Sequence, residues 1–334
     1  MSIEKKVPNL DLTISLDCLY DGARLVVQYL RPNWKNLQFK LLTDGITNRL
    51  VQVWECEQNE SEKILIRVYG VNTDLFIDRQ AEMRNMQYMN EAGLAAPLYC
   101  SFNNGIAYGF TTGLVLDQDL VQEPKISKMI AQQMAIMHSL KPKCEDEPKP
   151  CLFGDLHRFL SLIPKDKSRN LNQEVDFMET VLPNIKSPVV FCHNDLLMKN
   201  IIYNKSDEKI SFIDFEYSNY NYQAFDIANH FCEFGGVDSY DSNKFPNKQF
   251  QIKWIESYIE MYWQQSSNTN CDVPKDVQVI NLYEQVEKFT LAAFLYWGIW
   301  ALVQDINSSI EFDYMRFADE RLNEYFKRKQ ILFN

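Results

Sequence analysis

The period of the apolar residues changes near residue 112, and that change restricts the fold more than anything else in the chain. Before it, LQFKLLT (37–43), RLVQVWEC (49–56) and KILIRVYG (63–70) read as three short strands. DGITN and EQNESE separate them with turn-forming compositions at hairpin spacing, so an antiparallel sheet follows. An amphipathic helix from about Asp17 to Leu30, stopped by Pro32, precedes them. Residues 76–92 switch to helical spacing with Gly93 at the capping position, and PLYCSF and GIAYGFTT then give two more strands around Asn103-Asn104-Gly105. Beyond residue 112 helices dominate, at 124–140, 171–185, 246–265, 276–304 and 314–329. The expected architecture is α+β: an antiparallel five-stranded sheet lobe with a helix (1–112), then a larger, mainly helical lobe (113–334). PKCEDEPKP at 142–150 reads as a surface loop, and no repeat of solenoid period occurs.

Composition excludes several classes of function. The chain carries 34 Lys and Arg against 45 Asp and Glu, a formal net charge of −11, which disfavours nucleic acid and leaves room for a cationic ligand. Eight cysteines without a CxxC pair fit reduced thiols, and four histidines without HExxH or comparable spacing argue against zinc chemistry. Asp11 and Asp17 interrupt the N-terminal residues before any signal-peptide core, so a cytoplasmic location is expected. The uncharged run FTLAAFLYWGIWALVQ is 16 residues long, short of the roughly 20 that span a bilayer, so it reads as a buried core helix without membrane insertion. A homodimer is compatible with the sequence, where an interface leaves no mark distinguishable from a buried helix.

One strand-rich passage interrupts the helical half and carries the chemistry. In HNDLLMKN, Asp195 and Asn200 lie five residues apart between the apolar strands VVF and IIY, and Asp214 follows in ISFIDFEY at the end of another strand. Asn200 and Asp214 are hard oxygen donors suited to Mg²⁺, with a further carboxylate beside them. Each residue alone is an ordinary turn former; their joint order resembles the protein-kinase catalytic core. The upstream half supplies matching partners: DGITN where a phosphate-covering turn belongs, Arg67 at the kinase strand lysine, and Glu82 fifteen residues later on the following helix. Arg67 is a sound phosphate ligand, because a guanidinium binds bidentately, although an arginine on a strand also serves as a plain surface cation.

Taken together, TDGITN, ILIRVYG, CHNDLLMKNIIYN, FIDFEYSNYNYQAFDIANHFCEF and YWGIWALVQ resemble the choline/ethanolamine kinase family from about residue 40 to the C-terminus. Leu196-Leu197 and KNIIYN look more like its ethanolamine branch. The resemblance implies a protein-kinase-like bilobal fold and one catalytic domain. It implies ATP- and Mg²⁺-dependent phosphorylation of the ethanolamine hydroxyl, the first step of phosphatidylethanolamine synthesis. By it, Asp195 is the catalytic carboxylate and also touches substrate, while Asn200 and Asp214 complete the catalytic set and bind Mg²⁺. Gly45, Ile46, Thr47 and Asn48 cover the ATP phosphates, Arg67 held by Glu82 contacts them, and Gly109, Phe110, Thr111 and Ile213 line the nucleotide site. Glu233, Trp297, Trp300 and, more weakly, Tyr240 surround the substrate ammonium. Trp297 and Trp300, three apart on one helix, offer cation–π contact of about 0.5–2 kcal/mol, though both also suit a plain core. Glu216 suits a supporting place beside the metal site or a purely structural one, and His193 a brace for the loop. Choline is the near alternative substrate, aminoglycoside-type kinases share Asp195, Asn200 and Asp214, and a catalytically dead binding module is the remote alternative.

Overall fold

A computed structural model of the chain describes residues 7–42, 48–56, 62–70, 77–141, 147–168, 170–265, 273–308 and 311–333. It divides into two compact units, Met1–Thr112 with Ser309–Phe312, and Gly113–Ser308 with Asp313–Asn334.

The first unit is built on a six-stranded sheet. Its strands are β1 (Asn9–Leu10), β2 (Leu37–Leu42), β3 (Asn48–Glu55), β4 (Lys63–Tyr69), β5 (Leu98–Phe102) and β6 (Gly105–Gly109), in the order β1-β5-β6-β4-β3-β2. The five expected strands pair antiparallel. The sixth, β1, runs parallel to β5 with Asn9 opposite Ser101; two residues are too short to show a period, so only the pairing reveals it. Helix α1 (Leu19–Leu30) buries Ala23, Val26 and Val27, at helical spacing, against Val51, Val53, Ile64 and Ile66. Helix α2 (Arg79–Glu91) starts where the Asp78 carboxylate accepts the N–H groups of Gln80 and Ala81. It ends at Gly93, whose φ of +75° lets Gly93 N–H reach Asn90 O and Leu94 N–H reach Met89 O, a Schellman closure.

The second unit is mainly helical: α3 (Pro124–His138), α4 (Leu152–Ser161), α5 (Leu171–Val181), α6 (Gln223–Glu233), α7 (Lys248–Gln265), α8 (Lys275–Asn307) and α9 (Tyr314–Phe333). Helix α4 was not expected from the sequence. Ten residues between flanking prolines give little room for a pattern, yet it buries Leu152, Leu156, Phe159 and Leu160 on one face. Helix α8 holds the long apolar run, and every residue from Phe289 to Gln304 is buried. Its window apolar enough to cross a membrane by length and composition is 89% buried within the fold, in keeping with a core helix.

Two small sheets stand among these helices. β7 (Leu114–Val115), β9 (Ile201–Asn204) and β10 (Lys209–Phe212) form one in the order β10-β9-β7; β8 (Val189–Cys192) and β11 (Asn219–Tyr222) form the other. The chain between β8 and β9 carries Asp195 and Asn200, and Asp214 follows β10 directly.

Candidate active site

The β8–β9 connection is held open in a set shape by bonds from several sides. At its start Asn194 adopts φ +65°, a left-handed conformation that asparagine tolerates better than most residues. Its side chain spans the turn, donating to Tyr217 O (2.9 Å) and accepting from Asn221 Nδ2 (2.9 Å). At its end the Asn200 amide donates to Asp195 O (2.9 Å) and to Asp195 Oδ2 (3.2 Å), so the five-residue spacing does bring the two side chains together. Ile213 N–H donates to Asn200 O, and His193 Nε2 donates to Ile213 O, which fastens the end of β10 to the loop just before Asp214. Asp214 itself sits at φ +66°, an unusual conformation for an aspartate.

Most of this bracing comes from one helix. All eleven residues of α6 are buried, yet Asp226, Asn229, His230 and Glu233 are polar and lie at i, i+3, i+4 and i+7, a single stripe. Asp226 accepts the N–H groups of His193 (2.8 Å) and Asn194 (2.7 Å). Asn229 donates to Asn194 O, and His230 to Leu196 O. Asp226 also accepts from His138 Nε2 at the end of α3 (2.9 Å), and His138 Nδ1 meets the Tyr258 hydroxyl of α7 (2.7 Å). Burial alone would raise the Asp226 pKa, but the His138 bond and charge and the loop N–H groups hold it below the usual carboxylate range. His138, Cys192 and Asp226 are close enough to grip a metal ion, but the histidine and carboxylate are committed to these bonds. Only the final residue of this stripe, Glu233, was singled out from sequence. Its periodicity, DIANHFCE, was the available signal.

Electrostatics separate Asp195 from its neighbours. Burial, then the carboxylates of Asp214, Glu233 and Glu216, push its pKa well above the ordinary value, while the Asn200 bond acts the other way. Asn200 spends its amide N–H groups on Asp195, and its Oδ1 accepts nothing among the described residues. With the Asp214 carboxylate this gives an all-oxygen donor pair, which suits a hard divalent cation and no soft one.

The aromatic residues are wired into the same loop. Trp297 Nε1 donates to Asn229 Oδ1 (2.6 Å) and Trp300 Nε1 to the Tyr217 hydroxyl (2.8 Å). The Trp297 ring packs edge-on to Tyr217 (5.4 Å) and to Trp300 (5.3 Å), so three aromatic rings form one cluster. Tyr217, which completes it, was not singled out from sequence. Glu233 is not an isolated carboxylate: both its oxygens lie 3.3 Å from Arg321 Nη2 of α9, which also donates to Gly236 O. Burial raises the Glu233 pKa and Arg321 opposes the rise. Tyr240 packs on Gly235, where a Cβ would stand 2.1 Å from its ring, and its face lies 4.7 Å from the Arg321 guanidinium.

In the first unit Arg67 Nη1 meets Glu82 Oε1 at 2.7 Å, and both side chains are buried, so the reading of Arg67 as a surface cation fails. Arg79, one turn before Glu82, takes the other oxygen at 3.0 Å and donates to Asn48 Oδ1. Glu82 therefore joins two guanidinium groups, the second unforeseen. Gly45, Ile46 and Thr47 lie outside the described residues. Of the residues expected to line the nucleotide site, Gly109 bonds its N–H to Pro97 O and Phe110 its N–H to Lys63 O. The strand ends at Gly109, short of the full GIAYGFTT run, and Thr111 is the first of Gly109, Phe110 and Thr111 whose N–H makes no hydrogen bond among the described residues.

Comparison with known proteins agrees with this arrangement. The sequence model of the family described as choline/ethanolamine kinase matches residues 39–326. Ethanolamine kinase 2 of Mus musculus is 39% identical over 335 residues, covering 97% of this chain and 85% of its own. The solved structure of a Plasmodium vivax ethanolamine kinase superposes with a TM-score of 0.80 at 26% identity, covering 94% of this chain and 89% of that one. A choline kinase from Cryptosporidium parvum has a TM-score of 0.77 at 24% identity over 93% and 96% of the two chains, which shows the shared fold.

Proposed function

Because this chain belongs to the choline/ethanolamine kinase family, we propose that it transfers the γ-phosphoryl group of ATP to the hydroxyl of ethanolamine, with Mg²⁺ as the metal. The observation that carries this reading is the contact of Asp195 with Asn200, with Asp214 fastened beside them through Ile213. Asp195 receives the hydroxyl proton as the oxygen attacks phosphorus. The attacking oxygen's gain of a bond is balanced by loss of the bond to ADP. Asn200 Oδ1 and Asp214 would hold Mg²⁺, which when bound neutralises phosphate charge. Arg67, fixed by Glu82, binds nucleotide phosphate, its second edge already turned to the Tyr108 hydroxyl. We place the reaction in the cytoplasm, in line with the free thiols of the described cysteines.

The ammonium end of the substrate is assigned to the Tyr217, Trp297 and Trp300 rings. Glu233, partly neutralised by Arg321, supplies less attraction than a lone carboxylate would, so aromatic faces and Asp195 carry more of the selection. The same faces would accept trimethylammonium, which makes choline the second reading. Initial rates with ATP and Mg²⁺ on ethanolamine, choline and an aminoglycoside decide between them. The highest kcat/KM is expected with ethanolamine; equal or greater efficiency with choline overturns the substrate assignment, and preference for the aminoglycoside overturns the class.

A further inference from the structure

A groove of about 350 Å³ opens between α3 and α7 within the second unit, lined by Ser127, Lys128, Asn247, Phe250, Lys253 and Trp254 among others, and no carboxylate lines it. Its polar character is one-sided. Lys128 and Lys253 have no ion-pair partner among the described residues, in a protein of net charge −11. Ser127 is 94% buried (6% exposed), and its hydroxyl makes no hydrogen bond among the described residues. The buried Trp254 N–H likewise has no acceptor. The Trp254 N–H, shut off from solvent without an acceptor, is costly unless something fills that role. Both helices present their N-terminal halves here, and the positive ends of their dipoles add to the lysines. Phe250 and Trp254 provide an apolar side, and the volume exceeds what a bare inorganic ion needs.

The groove wall leads to the catalytic loop. Trp254 stacks on Tyr258 with ring centroids 5.8 Å apart and planes at 10°, and Tyr258 bonds His138, which bonds Asp226, the acceptor of the His193 and Asn194 N–H groups. Trp254 also lies 5.8 Å from the ring of His230, which holds Leu196 O.

We infer that this groove is a second ligand site, for a small soluble phosphomonoester held by Lys128, Lys253 and Ser127, and that its occupancy alters turnover through Trp254. The turnover arm rests on the kinase reading above; the binding arm does not, so the two failures are distinguishable. Acetylation of individual lysines, read by mass spectrometry with glycerol 3-phosphate as the probe, tests binding in the intact protein. Lys128 and Lys253 should react roughly fivefold more slowly once the probe is at about four times its Kd, with exposed Lys165 unaffected. Equal reactivity with and without probe overturns the site. Protection by vesicles containing phosphatidic acid but not by glycerol 3-phosphate overturns the soluble ligand. Calorimetric titration should lose this binding in the Lys128→Met/Lys253→Met double variant, and retention of it there also overturns the site. In the kinetic arm, glycerol 3-phosphate should change kcat at saturating substrates in the wild type and not in the double variant; an unchanged kcat alongside clear protection overturns the link to turnover.

Discussion

Asp195 and its neighbours illustrate how much a single residue's meaning depends on what surrounds it. Its carboxylate is pushed up by burial and by three other acids, and one Asn200 amide opposes that. Replacing it with Asn keeps the shape and removes the base, so kcat should fall by at least ~10²-fold while nucleotide binding, followed by calorimetry, stays within about twofold. Full activity in that variant would remove Asp195 from the mechanism. Glu82 presents the opposite case, a carboxylate whose work is structural. It sits between Arg67 and Arg79 with almost no exposure, so Glu82→Gln leaves two guanidinium groups short of their counter-charge. A stability loss of about 3 kcal/mol is expected in denaturant unfolding, together with a raised KM for ATP. An unchanged midpoint and KM would mean the arginines are held by other partners.

At the scale of elements, α6 is the piece that makes the loop competent. A buried helix with one polar stripe is costly unless its polar groups find partners, and here the stripe is spent on the loop main chain, on His138 and on Arg321, with His230 Nε2 left without one. Asp226→Asn retains the volume but can offer only one acceptor oxygen to the three donors that Asp226 now serves. Turnover should drop by about tenfold or more with a smaller change in KM for either substrate, since the loop is misplaced and not the pockets. A larger effect on KM than on kcat would contradict this. Gly235→Ala tests the connection after α6: a Cβ there overlaps the Tyr240 ring, which must move away from Arg321 and Phe294. A lower melting temperature is expected, and Tyr240→Ala in the same chain should recover part of it.

Over the molecule as a whole, buried neutral histidines tie stability to pH. Burial lowers the His230 pKa from 6.5 to about 4, and that of His193 in the same direction. Below pH 6.5 the unfolded chain therefore takes up a proton that folded His230 refuses until about pH 4. Stability falls as pH drops through that window, by about 2 kcal/mol at pH 5 from His230 alone. His230→Asn keeps a donor for Leu196 O and removes the titration, so unfolding free energies at pH 7 and pH 5 should lie closer together than in the wild type; an unchanged difference would assign the effect elsewhere.

The sequence by itself determined the strands and helices of strong period, and the local placement of Asp195 with Asn200, because apolar period and a five-residue loop act over neighbouring residues. The pairing of Arg67 with Glu82 was legible through the likeness of their order and spacing to the protein-kinase core. Tertiary structure alone decided what lay far apart in the chain. The two-residue strand β1 gains its meaning from β5, some ninety residues on. The partnership of Glu233 with Arg321 joins α6 to α9, and the Tyr217, Trp297 and Trp300 cluster joins β10's exit to the core of α8. Sheet pairing likewise decided that Gly109 and Phe110 spend their N–H groups within the sheet. A side chain's charge, acidity and free hydrogen-bonding capacity are set by whatever packs against it, and packing between distant segments has no local signature in the order of residues.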